Sequence, residues 1–207
     1  MPQLPLAGRT RPLILALALA APAFGLAGCD EAADLIGVDQ FDVNLGSNAV
    51  LPLVPNTSVA APTGEVDVEQ NLPDVFDIER ISIPEDAVTY QSPAPAAGGG
   101  GAVCHVRLFV MIDRVPVLQA DVHVDEEADP EVQEVTSRYA RPYDRDEICS
   151  GLDDCPVTNQ DLSSQEIRDH VDDAVARGRF DVDFVASNDG PCAGVLAIER
   201  LHFELDF

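Results

Sequence analysis

Acidic side chains crowd one stretch of the chain and could bind a hard metal ion. Asp144, Asp146, Glu147, Asp153 and Asp154 fall close together. Calcium prefers oxygen ligands from flexible loops, so the four aspartates Asp144, Asp146, Asp153 and Asp154 are candidate calcium ligands. The third ligand and the glycine of an EF-hand loop do not follow Asp144 and Asp146. A solvated acidic loop without an ion is the alternative interpretation.

Motifs for catalysis are largely absent. The sequence contains no Gly-x-Ser-x-Gly, no His-Glu-x-x-His and no Gly-x-Gly-x-x-Gly at the start of a helix. The chain has no lysine, which excludes Schiff-base chemistry. Histidines lie at positions 105, 123, 170 and 202, and their polar neighbours indicate surface residues. We therefore expect that the protein is not an enzyme. A hydrolase that uses a pair of carboxylates is an alternative, although no sequence motif supports it.

An apolar run near the start ends in a cysteine. Leu13 to Gly28 follows Arg9 and Arg11, and the run closes with Leu26-Ala27-Gly28-Cys29. This order of basic start, apolar middle, small residues and cysteine resembles the lipobox of bacterial lipoproteins. The resemblance implies that residues 1–28 are a signal peptide cut before Cys29, and that Cys29 is acylated.

The same resemblance implies that the protein lies in the bacterial cell envelope, where its N-terminal lipid anchors it to a membrane. A plain secretory signal and a retained helix are the alternatives. Pro22 and the run's length of 16 residues make it short for a span of about 20. Asp30 follows the cysteine and favours the inner membrane in some lineages only, so inner and outer membrane stay unresolved.

Four cysteines remain after Cys29, and an even number is expected for an exported chain that forms disulfides. Cys149 and Cys155 are six residues apart and could close a small loop. Cys104 and Cys192 each open a β-like run, so they could meet at one end of a sheet. We predict these two pairs among the three possible pairings. A zinc site is the alternative, but its usual two-residue spacing is missing.

The charge of the chain restricts its partners. Without residues 1–28 the chain keeps 37 acidic residues and 10 arginines (12 minus Arg9 and Arg11), a formal charge of −27. Nucleic acid is a poor partner for such a chain, because its recognition needs cationic surface. The excess of aspartate without lysine resembles proteins of salt-loving microbes. A GC-rich genome is an alternative cause of the missing lysine.

Alternating apolar residues predict short strands through most of the chain after a tether at 29–40. The strongest run, Ala102 to Asp113, is predicted to form a hairpin with Val117 to Val124. Ser163 and Glu166 form a capping box for one amphipathic helix at about 164–177. Ser187 to Gly190 is predicted to be a hairpin turn. The last strand, Ala193 to Phe207, is expected to contain a bulge near residues 199–200.

These patterns predict a mainly β fold, an antiparallel β-sandwich with one helix, over a single domain at 41–207. A Pro/Ala/Gly-rich loop is expected at 93–101. A long acidic insertion is expected at 125–163, with a short helix at Glu131 to Arg138. Long connections are often functional, so 125–163 is the predicted contact surface for an envelope protein partner. The expected function is a non-catalytic structural or protein-binding module. A calcium- or small-ligand-binding module at 144–154 is the alternative.

Overall fold

The computed structural model describes residues 39–46, 49–68, 76–92, 101–158 and 161–206. The predicted signal peptide, Cys29, most of the tether and residues 93–100 lie outside these ranges. The described residues form eleven strands and two α-helices, and every paired strand is antiparallel. The prediction of a mainly β, antiparallel fold is confirmed. The elements are β1 (Gln40–Asn44), β2 (Val50–Leu53), β3 (Thr57–Asp67), β4 (Asp77–Ser82), β5 (Val88–Gln91), β6 (Val103–Ile112), β7 (Val115–Asp125), β8 (Val132–Tyr139), α1 (Arg145–Cys149), α2 (Ser164–Ala176), β9 (Arg179–Asn188), β10 (Gly194–Ile198) and β11 (Arg200–Asp206).

One layer is a five-stranded sheet with the strand order β3-β9-β6-β7-β8. Strands β6 and β7 form the predicted hairpin at its centre. Asp113 and Arg114 make the two-residue turn, and both have positive φ angles of 48° and 68°. These angles match the twist that a tight hairpin needs. At the edge, β3 shifts register between Pro62 and Gly64, a place where an edge strand tolerates proline.

The second layer is made of two three-stranded sheets that follow each other along the same three segments of the chain. Strands β1, β11 and β4 pair in that order, and β2, β10 and β5 repeat it further along the same chain segments. Backbone bonds lie between these two small sheets: the Leu45 N–H donates to the Glu199 carbonyl at 2.8 Å, and the Ile198 N–H donates to the Ala49 carbonyl at 3.0 Å. The predicted bulge near residues 199–200 is therefore a complete break between β10 and β11.

Aromatic side chains join the two layers. Phe203 of β11 stacks on Phe41 of β1 with ring centroids 4.9 Å apart. Phe180 of β9, in the five-stranded sheet, lies 6.4 Å from the same Phe203 ring. Phe203 is completely buried. The sheets thus face each other across one apolar core, as a sandwich requires.

Helix α2 is tied to the sandwich where β4 begins and β6 ends. Its buried residues are Ile167, Val171, Ala174 and Val175, the apolar face that the sequence predicts. The Ile78 N–H donates to the Asp172 carboxylate at 2.8 Å, and His170 Nε2 lies 2.9 Å from the Ile112 carbonyl. Burial raises the pKa of Asp172, and the bond from Ile78 partly opposes that shift. The predicted helix is confirmed, and it covers this end of the core.

The capping box at the start of α2 is formed as predicted. The Glu166 N–H donates to Ser163 Oγ, and the Ser163 N–H donates to the Glu166 carboxylate at 2.9 Å. The Ser163 hydroxyl also donates to the Glu166 carboxylate at 2.7 Å, and this bond, together with the bond from the Ser163 N–H, holds the pKa of Glu166 below its usual value. The stabilisation they give is present above the unfolded pKa of Glu166 and is lost as the pH falls through the lower folded pKa.

Replacing Ser163 with alanine is expected to lower the free energy of unfolding by about 1 kcal/mol, because one helix N–H loses its acceptor. Ser164→Ala is the matched control, since Ser164 is exposed and has no capping role. Urea titrations of the two variants measure the difference. Equal losses for both would contradict a capping role for Ser163.

The predicted helix at Glu131 to Arg138 is wrong, because this segment is β8. Val132 and Val135 pair with β7, but the register shifts so that Val124 faces Val132 while His123 faces Glu134. The extra residue, Gln133, interrupts the alternation that marks a strand in sequence. The predicted insertion at 125–163 is therefore shorter, since its first part adds an edge strand to the sheet.

The predicted hairpin turn at Ser187 to Gly190 is also wrong, because β9 and β10 belong to different sheets. Buried Asn188 holds the crossing: its amide donates to the carbonyls of Val54 at 3.1 Å and Cys192 at 2.7 Å. A Cβ on Gly190 would lie 2.4 Å from the Cβ of Cys104. The chain therefore passes the Cys104–Cys192 disulfide instead of folding back on β9.

Candidate functional site

The five-stranded sheet has a second, smaller core on its outer face. Phe109 and Met111 of β6 and Val185 of β9 point away from the main core and are fully buried. Ile148 and Val157 pack on them from residues 140–158, which we name the cover segment. These apolar residues on an outer sheet face require a cover, since exposing them to water would be costly.

The cover segment is held at several points. The Cys149–Cys155 disulfide closes it as predicted. The Tyr143 ring meets Phe109 edge to face at 5.9 Å, and its hydroxyl donates to the Arg138 carbonyl at 3.0 Å. Burial is the main reason that the pKa of Tyr143 is raised. The short helix α1, which the sequence analysis did not predict, places Ile148 against the sheet.

The four predicted calcium ligands do not form one group. Asp144 accepts from the Asp146 N–H at 2.9 Å and caps α1. Asp146 and Asp153 line a cleft of about 460 Å³ beside the disulfide. Asp154 lines a different cleft, of about 440 Å³, with Asp183. Among the residues that the structure describes, no three His, Cys, Asp or Glu side chains are grouped so that they could hold a metal ion as they stand.

Three arginines gather around two carboxylates where the cover segment meets strands β6, β7 and β8. Asp121 of β7 lies 3.6 Å from Arg107 of β6 and 3.6 Å from Arg138 of β8. Glu147 of α1 lies 3.7 Å from Arg107 and accepts a hydrogen bond from Arg141 at 3.0 Å. We call these five residues the arginine cluster. With three cations and two anions it carries one net positive charge, in a chain whose formal charge is strongly negative.

Several hydrogen-bonding groups in the arginine cluster, and on Gln119 beside it, have no hydrogen-bond partner among the described residues. Within the described part of the chain, the guanidinium groups of Arg107 and Arg138 donate no hydrogen bond, although both lie near Asp121. Gln119 is only 3% exposed, and its Nε2 donates to Asp121 while its Oε1 has no partner. The buried Nε atoms of Arg107 and Arg141 also lack hydrogen-bond partners. Unmet buried groups of this kind are costly, and a bound molecule could satisfy them.

Sequence reasoning did not find this cluster. Its members come from three strands, one helix and the loop between β8 and α1, at positions between 107 and 147. Cross-strand register is what brings Arg107 opposite Asp121, and register cannot be read from a single strand. The one available signal was the concentration of cations: five of the ten arginines that follow residue 28 lie within this stretch of 41 residues.

The four histidines fall into two groups. His202 lies 2.8 Å from the Asp42 carboxylate on the β1-β11-β4 sheet, and His170 bonds to a backbone carbonyl. His105 and His123 instead face each other on the outer face of the five-stranded sheet, two residues along β6 and β7 from the Arg107–Asp121 pair. None of the four is enclosed in the core.

Comparison with known proteins gives no match: no family model, no curated protein and no solved structure is similar to this chain. No helix in the described ranges is both long enough and apolar enough to cross a membrane. The fold and the site together define only a structural class, an antiparallel β-sandwich with a disulfide-closed cover on one outer face.

Proposed function

We propose that the protein is a lipid-anchored lipoprotein of the bacterial cell envelope that binds a partner protein and catalyses no reaction. The arginine cluster carries the binding part of this proposal. It offers unused guanidinium donors on a chain with few cations, so a partner that presents carboxylates would find complementary groups here. Arg138, Arg141 and Glu147 belong to the stretch at 125–163 that the sequence already favoured as a contact surface.

The anchoring part of the proposal depends on Leu26-Ala27-Gly28-Cys29, which lies outside the described residues. Acyl chains on Cys29 would hold the domain at a membrane, because more than one lipid signal gives stable attachment. The proposal that the protein catalyses no reaction is inferred from the sequence, which has no recognised catalytic motif.

Cys29→Ser is expected to abolish labelling of the protein by radioactive palmitate and to leave the chain released or uncleaved. Membrane fractionation and precursor size on a gel provide the measurement. The variant Cys29→Ala should behave in the same way. Unchanged lipid labelling and membrane retention in both variants would contradict the lipoprotein proposal.

Partner binding is tested by cross-linking in intact cells, followed by affinity capture and mass spectrometry. Arg138→Glu adds a carboxylate at an arginine that is 57% exposed, so the fold should tolerate it. We expect recovery of the partner to fall about tenfold or more, because like charges across an interface are strongly unfavourable. Arg80→Glu is the matched control, since Arg80 is exposed on β4 in the other sheet and the change in charge is the same. A partner recovered equally with both variants would exclude the arginine cluster as its contact.

A further inference from the structure

Two histidines lie side by side on neighbouring strands. His105 of β6 pairs directly with His123 of β7, and their ring centroids are 4.6 Å apart with an interplanar angle of 79°. His105 is exposed and His123 is partly exposed, so solvent reaches both rings. Side chains directly opposite on antiparallel strands point to the same side of the sheet.

The ring nitrogens of this pair form no hydrogen bond within the described part of the chain. Neither His105 nor His123 forms a hydrogen bond or an ion pair with another described residue, and their rings meet each other edge to face. The remaining histidines differ in this respect, because His170 bonds to the Ile112 carbonyl and His202 to Asp42. The nitrogens of the pair are therefore free to bind a ligand.

A carboxylate continues the row of side chains. Glu134 of β8 is paired with His123, which places the three residues on one face across three strands. Its carboxylate accepts only a 3.2 Å bond from Thr136 Oγ1, on an exposed part of the strand. A rotation of this side chain would turn an oxygen toward the pair. The strongly negative charge of the chain also favours the approach of a cation.

We propose that His105 and His123 bind a divalent transition-metal ion, each through one imidazole nitrogen. Imidazole is a good ligand for copper, nickel and zinc, whereas calcium and magnesium prefer oxygen. Water fills the remaining coordination positions, or Glu134 supplies one after its side chain turns. With two imidazoles as the fixed ligands, the metal stays accessible and exchangeable.

The test is calorimetric titration of the full chain carrying Cys29→Ser. This background leaves no free thiol to compete, because the other four cysteines form disulfides. We expect one binding event each for Cu²⁺, Ni²⁺ and Zn²⁺, with Cu²⁺ the tightest. Ca²⁺ should not compete with them. His105→Gln and His123→Gln should each weaken Cu²⁺ binding by about tenfold or more, since each removes one of two protein ligands.

His202→Gln is the matched control, because His202 lies on the other sheet beside Asp42, and it should bind Cu²⁺ like the parent chain. Cu²⁺ bound to the parent should show nitrogen hyperfine coupling in its paramagnetic resonance spectrum, and the two glutamine variants should lose part of it. Ni²⁺ should broaden the imidazole proton signals of His105 and His123 in the parent, which needs no variant. Cu²⁺ binding that both glutamine variants retain, or that His202→Gln weakens equally, would overturn the proposal.

Discussion

Replacing Cys104 and Cys192 together with alanine is expected to lower the free energy of unfolding by about 4–5 kcal/mol. The disulfide joins residues 88 apart in sequence, and without it the unfolded chain gains much conformational freedom. It also joins β6 of the five-stranded sheet to the segment that leads to β10 of the β2-β10-β5 sheet. Both cysteines are buried, so the alanine pair also loses packing.

The matched control is the pair Cys149→Ala and Cys155→Ala. Its loop spans only six residues, so the same entropy argument gives about 2 kcal/mol. Denaturant unfolding of both variants under oxidising conditions gives the two losses. A loss for the Cys104 and Cys192 variant no larger than for the control would show that the long-range disulfide is not the main covalent constraint on the fold.

Phe203→Ala is expected to cost about 3–5 kcal/mol, the range for removing a large aromatic side chain from a core. Phe203 is completely buried and contacts Phe41 of its own sheet and Phe180 of the facing sheet. The substitution would leave a cavity between the layers that neighbouring side chains can fill only in part. Chemical denaturation gives the loss directly, as a fall in the unfolding midpoint at constant slope.

Phe203→Leu is the control for that experiment. Leucine keeps most of the apolar volume and should cost clearly less than alanine. Equal losses of unfolding free energy in both variants would mean that the contacts of the aromatic ring stabilise the fold more than the apolar volume of the side chain does. A loss below about 1 kcal/mol for Phe203→Ala would contradict the close packing of the two sheets at this point.

Local features of the fold were predictable from sequence because each depends on residues near one another in the chain. The capping box at Ser163 and Glu166 is set by a three-residue spacing. The β6–β7 hairpin follows from two adjacent alternating runs. The Cys104–Cys192 disulfide was predictable for a different reason. Both cysteines begin β-like runs, and four cysteines allow few pairings.

Features that depend on which distant strands meet were not predictable. The bulge at Gln133 shifts the phase of β8, so the alternation of that strand cannot be read directly. Asn188 looked like part of a tight turn, but its amide bonds across to Val54 and thereby guides the chain into the other sheet. A turn signal specifies that the chain changes direction, and tertiary contacts decide where it goes.

The candidate site shows the same division. The acidic cluster at 144–154 was visible as composition, yet Asp144 is a helix cap and Glu147 pairs with an arginine. The concentration of arginines was visible in the sequence, but their grouping around Asp121 was not, because Arg107 of β6 and Arg138 of β8 come together only across the intervening strand β7. Ion pairs between strands are a product of register, and only the folded sheet supplies it.

The pairing of β1 with β11 determines how the domain would respond to a pulling force. Gln40 lies opposite Glu204, and the Leu205 N–H donates to the Asp39 carbonyl at 2.8 Å, so both ends of the described domain leave from neighbouring strands at one end. Hydrogen bonds of an antiparallel ladder run perpendicular to the strands. Tension between these two ends would therefore break the ladder one pair at a time, as a zipper opens. The five-stranded sheet would carry load only after β1 and β11 had separated, so the arginine cluster would keep its geometry under moderate tension.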